Sequence, residues 1–581
     1  MSPLIFMTTV YLLPNVVTAS LTVSPATLTT TLGEITGIRK VIGANNKIDV
    51  FYSIPFAKAP VGELRFKPPL PAEPWEDVRD GTRKPDSCWQ SIDTNFGRFP
   101  GVEMWNPNTQ RSEDCLYLNV WRPVCTRHCS KHKPKSILVW IFGGGFYSGT
   151  TTLDLYDATQ LAALNDVIVV SIAYRLGPFG FLYLGNEEAP GNAGLMDQAL
   201  GLKWVRDNAV NLGGSPESIT IFGESAGAAS VGFHLLSPVS RNYFNKAIMQ
   251  SASPFADWAI HERDVAMNRT WSLIASASCS KDNISASINC LRSVGAQTLC
   301  DKQWTINAGV TFPFAPVIDG HFIPDHPLKM TERGEVKNAS ILLGVNKNEG
   351  TYFNIYQFQK DFPLKGDGHI SKDQFDRILP HYFNHNKRAS DFIREEYAKG
   401  SNLSYALLLD AITGDKSFKC PVVNFAGLLT RTGNSVFTYS FEHRVSTNPW
   451  PAWSGVAHGY EIELIFGLPL SPSSVYTEEE KSLSLRMMKL WTNFAKTGNP
   501  NYRAANEWPE YTEKSKEYVI IDTRGLTLGR GLRQSQCAFI ANVTSSLNPK
   551  DMPSEATSSF DKGVIQDDPS TNQHTFHVVG Q

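Results

Sequence analysis

Ile219-Thr-Ile-Phe222 runs straight into Gly223-Glu224-Ser225-Ala226-Gly227, and a helical run follows. The first four residues are apolar or β-branched, the pattern of a short buried strand. G-x-S-x-G is common by chance, but between a strand and a helix it is what a nucleophile elbow requires. Side chains at the two glycines would block so tight a turn, and the turn lifts Ser225 Oγ above the sheet. The helix that begins there brings backbone N–H groups and a positive dipole end to any anion formed beside Ser225. The plain alternative is a glycine turn with an incidental serine.

Working outward, Ile137-Leu-Val-Trp-Ile-Phe142 reads as a buried strand ending in Gly143-Gly144-Gly145, and Val167-Ile-Val-Val-Ser-Ile-Ala-Tyr174 as another. The stretch Gly194 to Asn211 carries Leu195, Ala199, Leu202 and Val205 at helical spacing, and Ile341–Val345 and Val436–Tyr439 read as later strands. Strands alternating with helices predict an α/β fold with a large, mostly parallel central sheet. Helical and loop-rich insertions are expected between about 255 and 310 and between about 360 and 415. A single catalytic domain over 20–545 is expected, followed by a polar, disordered tail over 546–581.

The 581 residues are 42% hydrophobic and 19% charged with a net charge of −2, a globular composition. The chain lacks the basic surplus that binding to a nucleic acid backbone needs. Met1 to Ser20 contains no Asp, Glu, Lys or Arg and ends near small residues, so 1–19 reads as a signal peptide, with a docked apolar tail as the alternative. Sequons at Asn268, Asn283, Asn338, Asn402 and Asn542 agree with a secreted, extracellular glycoprotein. Neither a spanning segment nor a GPI-type tail is evident. Nine cysteines leave at least one thiol outside any internal bridge. Cys125, His128, Cys129 and His132 invite a zinc reading, but they are crowded into a Lys-rich loop without the usual spacer. A local Cys125–Cys129 bridge or a plain exposed loop is the better reading, and no metal or cofactor is expected.

A serine hydroxyl needs a base to take its proton, and the base needs a carboxylate to orient it, in chain order Ser, acid, His. Gly344-Val-Asn-Lys-Asn-Glu349-Gly350 and Gly455-Val-Ala-His458-Gly459 are loops that fit, with Asp319 and Asp410 as rival acids and twelve other histidines as rival bases. Gly144 and Gly145 offer bare N–H groups for an oxyanion hole, joined by that of Ala226.

Ser112-Glu-Asp-Cys-Leu-Tyr-Leu-Asn119, Trp140-Ile-Phe-Gly-Gly-Gly-Phe-Tyr-Ser-Gly149, Phe222-Gly-Glu-Ser-Ala-Gly227 and His458-Gly-Tyr-Glu-Ile-Glu463 together resemble the type-B carboxylesterase/cholinesterase family, from about Ile38 to about Phe539. Leu212 ahead of Gly213-Gly214 departs from the family's usual phenylalanine. The resemblance implies an α/β-hydrolase fold with Ser225 as nucleophile, His458 as base and Glu349 as orienter. It also implies bridges Cys88–Cys115, Cys279–Cys290 and Cys420–Cys537, which leave Cys125, Cys129 and Cys300 over, with the Cys125–Cys129 loop bridge and a free Cys300 both open. No cysteine follows Cys537 for the family's interchain bridge, so a monomer or an unbridged dimer is expected.

Within the family the cholinesterase branch is the most similar. Trp105 in Glu103-Met-Trp105-Asn-Pro-Asn108 matches the tryptophan that holds choline, and Tyr352, Phe353 and Glu224 resemble its neighbours. An indole face attracts a quaternary ammonium through its quadrupole; read without the resemblance, Trp105 is simply a core tryptophan. Trp258, Val310 and Phe312 resemble acyl-pocket residues, and Val310 stands where vertebrate enzymes of this branch carry a second phenylalanine. Asp93, Tyr147, Trp304 and Tyr356 resemble peripheral-site positions, with Ser91 where a tyrosine often lies. The expected function is hydrolysis of choline esters, acetylcholine foremost, through an acyl-enzyme. The alternatives are a general carboxylesterase and a non-catalytic adhesion protein of the same fold.

Overall fold

The computed structural model describes residues 24–43, 46–124, 133–306, 312–502 and 507–546. The signal peptide, the Cys125–His132 cluster, Val310 and all but the first residue of the tail fall outside them.

Twelve strands make the main path of one sheet: β1 Ser24–Thr29, β2 Glu34–Ile42, β3 Asn46–Pro55, β4 Tyr117–Val124, β5 Lys135–Ile141, β6 Ile168–Ile172, β7 Gly214–Glu224, β8 Lys246–Gln250, β9 Ser340–Asn346, β10 Ser435–Phe441, β11 Glu517–Asp522 and β12 Gly525–Arg530. Their spatial order is β1-β2-β3-β4-β6-β5-β7-β8-β9-β10-β11-β12, and a two-residue strand, Arg79–Asp80, pairs with β2. From β6 to β11 every pairing is parallel. Along the main path the strands from β1 to β4, and β12, pair antiparallel, so the parallel sheet of the sequence reading is the centre of a mixed one.

Ile137 to Ile141 are all fully buried, as are Ile168 to Val170. Both faces of these strands are covered, which is why they read as unbroken apolar runs rather than alternating ones. The helix expected from Gly194 spans Ala193–Asn208, and Ala226–Leu236 follows β7 directly, with every one of its residues buried. Helices Arg263–Ser276, Ile284–Ser293 and Ala296–Lys302 fill the first insertion; Lys372–Ile378, Lys387–Ala398 and Tyr405–Gly414 fill the second.

The site candidates sit beyond the carboxyl ends of the central strands, where open α/β sheets leave a crevice. Gly143–Gly145 follow β5, Ser225 follows β7, and Glu349 lies three residues past β9. His458 comes from the long connection after β10, and a parallel bridge between Asn348 and Ala457 draws that loop against the one bearing Glu349. Bridges Cys88–Cys115, Cys279–Cys290 and Cys420–Cys537 are present, and Cys300 is a buried free thiol. Burial pushes that thiol up to about 12, so it holds no reactive thiolate near neutral pH.

Candidate active site

Ser225 has φ 56° and ψ −124°, a left-handed strain held by its surroundings. Its N–H donates to Gln250 O at 2.8 Å. A Cβ on Gly227 would lie 2.0 Å from Ile141 O, and one on Gly223 2.6 Å from the same oxygen. The elbow therefore needs both glycines because a neighbouring strand end passes against them. The N–H of Ala226, first in its helix, has no intrahelical acceptor. Gly144 (φ 108°) and Gly145 (φ 59°) turn their backbone beside it, in conformations that side chains resist. Their N–H groups make no hydrogen bond within the described residues.

His458 Nδ1 lies 2.6 Å from Glu349 Oε2, and Glu349 is fully buried. Glu349 Oε1 accepts from the Asn346 N–H at 2.6 Å, which fixes the carboxylate plane. The rival acids do other work. Asp410 accepts from the N–H groups of Gly350 and Thr351, from the Thr351 hydroxyl and from the Asn348 amide, anchoring the loop behind Glu349. Asp319 accepts from the N–H groups of His321 and Ile323 in a distant turn.

His458 Nε2 makes no hydrogen bond; it sits 3.0 Å from Glu224 Oε1 in poor alignment. Burial pushes the Glu224 carboxyl well above the usual range, and Glu461 and Glu349 add to that. Burial by itself disfavours the imidazolium of His458, but the negative charges of Glu224, Glu349 and Glu461 outweigh it and raise its affinity for a proton. Glu224 and His458 compete for one proton.

Ser225, Glu224, His458, Gly144 and Gly145 open onto one cavity of about 270 Å³. Its walls are aromatic: Trp105, Tyr147, Trp304, Phe312, Tyr352, Phe353 and Tyr356. Trp105 stands edge-to-face to Tyr460, ring centroids 6.2 Å apart. A Cβ on Gly459, next to His458, would lie 3.2 Å from Trp105 and 3.6 Å from Glu224 Oε1, so indole and carboxylate flank one spot. Tyr352 leans on Tyr356 at 4.7 Å and Phe353 on Tyr352 at 5.4 Å. Towards the surface, Tyr147 meets Trp304 edge-on at 4.9 Å, Trp304 Nε1 donates to Ser91 Oγ at 3.2 Å, and the Tyr356 hydroxyl donates to Asp93 Oδ2 at 2.8 Å.

Residues 24–540 match the Carboxylesterase family. The chain belongs to the carboxylesterase family. Two similar relatives are acetylcholinesterases. That of Bungarus fasciatus is 44% identical over 526 residues, covering 88% of this chain and 85% of the relative. That of Electrophorus electricus is 41% identical over 579 residues, covering 90% of each. With this membership, the chain is a serine carboxylic ester hydrolase of α/β-hydrolase fold.

Of the described site candidates, Ala226, Trp258, Asp93 and Glu349 are not part of the cavity wall. Trp258 packs edge-on against Phe312 at 5.7 Å, Asp93 holds Tyr356, and Glu349 holds His458. Sequence reasoning missed the layer beneath. Glu461, fully buried, accepts from Gln250 Nε2 at 2.9 Å and from Asn346 Nδ2 at 2.6 Å, and so ties the serine's anchor to the acid's anchor. Glu461 lies inside a motif quoted above, but nothing local marks Gln250 or Asn346. Trp450, edge-on to Tyr352 at 5.4 Å, was missed as well. No helix among the described residues is long and apolar enough to cross a membrane.

Proposed function

We propose that this carboxylesterase-family enzyme is an extracellular cholinesterase that hydrolyses acetylcholine to choline and acetate through an acyl-enzyme on Ser225. The observation that carries the reading is the pairing of the Trp105 indole with the Glu224 carboxylate around one spot beside His458 and Gly459. A neutral alcohol has no use for that pair, whereas a quaternary ammonium gains from both the indole quadrupole and the negative charge. Ser225 Oγ attacks the ester carbonyl as His458 Nε2 takes its proton, while Glu349 keeps the ring turned and stabilises the imidazolium. The developing oxyanion is met by the N–H groups of Gly144, Gly145 and Ala226. The tetrahedral intermediate collapses, and choline leaves with the proton from His458. Water, deprotonated by the same base, then releases acetate. Secretion is supported by the exposure of all five sequon asparagines together with three disulfides.

On the acyl side, Phe312 backed by Trp258 limits chain length, and residue 310 is the smaller valine at a position where the resemblance sets a second phenylalanine in vertebrate enzymes. Acetyl-, propionyl- and butyrylcholine are expected to be cleaved with falling kcat/KM, each step about 10-fold, the low end of the roughly 10- to 200-fold (about 1–3 kcal/mol) that one methylene is worth. Hydrolysis of this series, with peptide mapping of an organophosphate adduct on Ser225, tests the reading. A label elsewhere, or none, would overturn the nucleophile assignment. Equal rates on a long-chain neutral ester would point to a general carboxylesterase.

The base also predicts a pH response. Activity through kcat/KM rises as the His458 imidazolium loses its proton, and the Glu224 charge holds that proton on. Glu224→Gln is therefore expected to move the acid limb of kcat/KM to lower pH, by roughly half a unit to one unit. A pH-rate profile measures it, and a shift to higher pH would contradict the charge assignment.

A further inference from the structure

His261 stands just before helix Arg263–Ser276, and Arg269 lies within that helix. The two meet: Arg269 Nη1 lies 2.7 Å from His261 Nε2. A guanidinium has no lone pair to offer, so it donates and Nε2 accepts, which puts the ring's one proton on Nδ1. Burial, with the Arg269 charge added, pushes His261 down to about 3, so the ring stays a neutral acceptor across physiological pH. The same Nη1 donates to two adjacent carbonyls, those of Phe312 and Pro313, the latter at 3.3 Å.

Phe312 is where this grip touches the cavity. A Cβ on Gly145 would lie 2.8 Å from Phe312 Cζ, so the ring stands directly against a glycine of the oxyanion turn. The chain downstream of Phe312 is anchored by other groups. The His261 N–H donates to Pro316 O at 2.8 Å, and Arg263 Nε donates to Ile318 O at 2.6 Å. Between them the Asn192 side chain accepts from the Val317 N–H at 2.9 Å and donates to its carbonyl at 2.8 Å. A segment pinned at 316–318 can still pivot four residues upstream, and the Arg269 guanidinium holds that end. An arginine on its long stem has many rotamers to lose; the bond to His261 Nε2 selects the one that reaches both carbonyls.

We infer that Arg269, braced by His261, sets how long an acyl chain this enzyme accepts: by gripping the Phe312 carbonyl it holds the Phe312 ring against Gly145. Neither residue lines the cavity, so both are positioning residues that act through Phe312. The inference rests on the proposed reading of Phe312 as the acyl-side wall, and the experiment separates the two. The ratio of kcat/KM for acetylcholine to that for butyrylcholine does not depend on how much of a preparation is active. It is measured first on the wild-type chain, where two methylenes at the low end of their worth predict about 100-fold. A wild-type ratio near one refutes the acyl-side reading itself, before any variant is made. Arg269→Met keeps the stem and loses the donors; its ratio is expected to fall about 10-fold, one methylene's worth, through a gain on butyrylcholine. Its kcat/KM for acetylcholine is expected to stay within about threefold of wild type. His261→Leu removes the acceptor and is expected to lower the ratio about threefold or more, whereas His261→Gln, whose amide oxygen can accept in its place, is expected to stay within about twofold of wild type. An unchanged ratio in whichever of Arg269→Met and His261→Leu folds would overturn the inference. So would equal losses on both esters, the mark of a merely structural role. A ratio in His261→Gln as low as in His261→Leu would overturn the bracing by His261.

Discussion

Ser225→Ala is expected to lower kcat on acetylcholine by about 10⁵- to 10⁶-fold with KM within a few fold. The loss is large because the hydroxyl, the base and the orienting carboxylate act as one unit, so deleting the nucleophile idles the other two. What survives is the contribution of the oxyanion N–H groups and of binding, about 10³- to 10⁴-fold over water. The fold should be untouched, because the elbow is held by backbone: the Ser225 N–H bonds Gln250 O, and the flanking glycines pack on Ile141 O. Active-site titration with an organophosphate beside a thermal melt measures both halves. Retention of a tenth of the wild-type rate would mean another residue carries the acyl group.

Trp105→Ala is the second large effect, and it falls on binding rather than on chemistry. A cation held over a desolvated indole gains about 2 kcal/mol or more, so KM for acetylcholine is expected to rise about 30-fold or more. Trp105 is partly exposed and lines the cavity. A neutral ester that never used the indole face should lose little. Initial rates on a charged and a neutral acetate, with the variant and the wild type, check the split; equal losses on both would mean that Trp105 supports the fold around the site rather than the cation.

The elbow was legible in the sequence because its constraints are local: two glycines, a strand before and a helix after. The central strands were legible for the same reason, burial on both faces leaving long apolar runs such as Ile137–Phe142. The partners of Ser225 were not, since Glu349 and His458 come from loops 109 residues apart, and thirteen histidines compete on equal terms. Resemblance to the family supplied those two, and Trp105, the tryptophan proposed to hold the cation, as well. Gln250 and Asn346 escaped altogether. Each is placed by long-range packing, through side-chain bonds to Glu461 that span 211 and 115 residues. The antiparallel strands at the start of the chain escaped for a simpler reason: half-exposed runs such as Glu34–Ile42 carry little apolar signal.

The measurement that bears most directly on the whole account is the ratio of kcat/KM for acetylcholine to that for 3,3-dimethylbutyl acetate, its uncharged carbon isostere, on the wild-type chain. The two differ in one charge and almost nothing in shape. A cavity that sets an indole and a carboxylate around one spot beside the reacting serine predicts a preference for the charged ester of about 10-fold or more. Equal values for the two esters would contradict it.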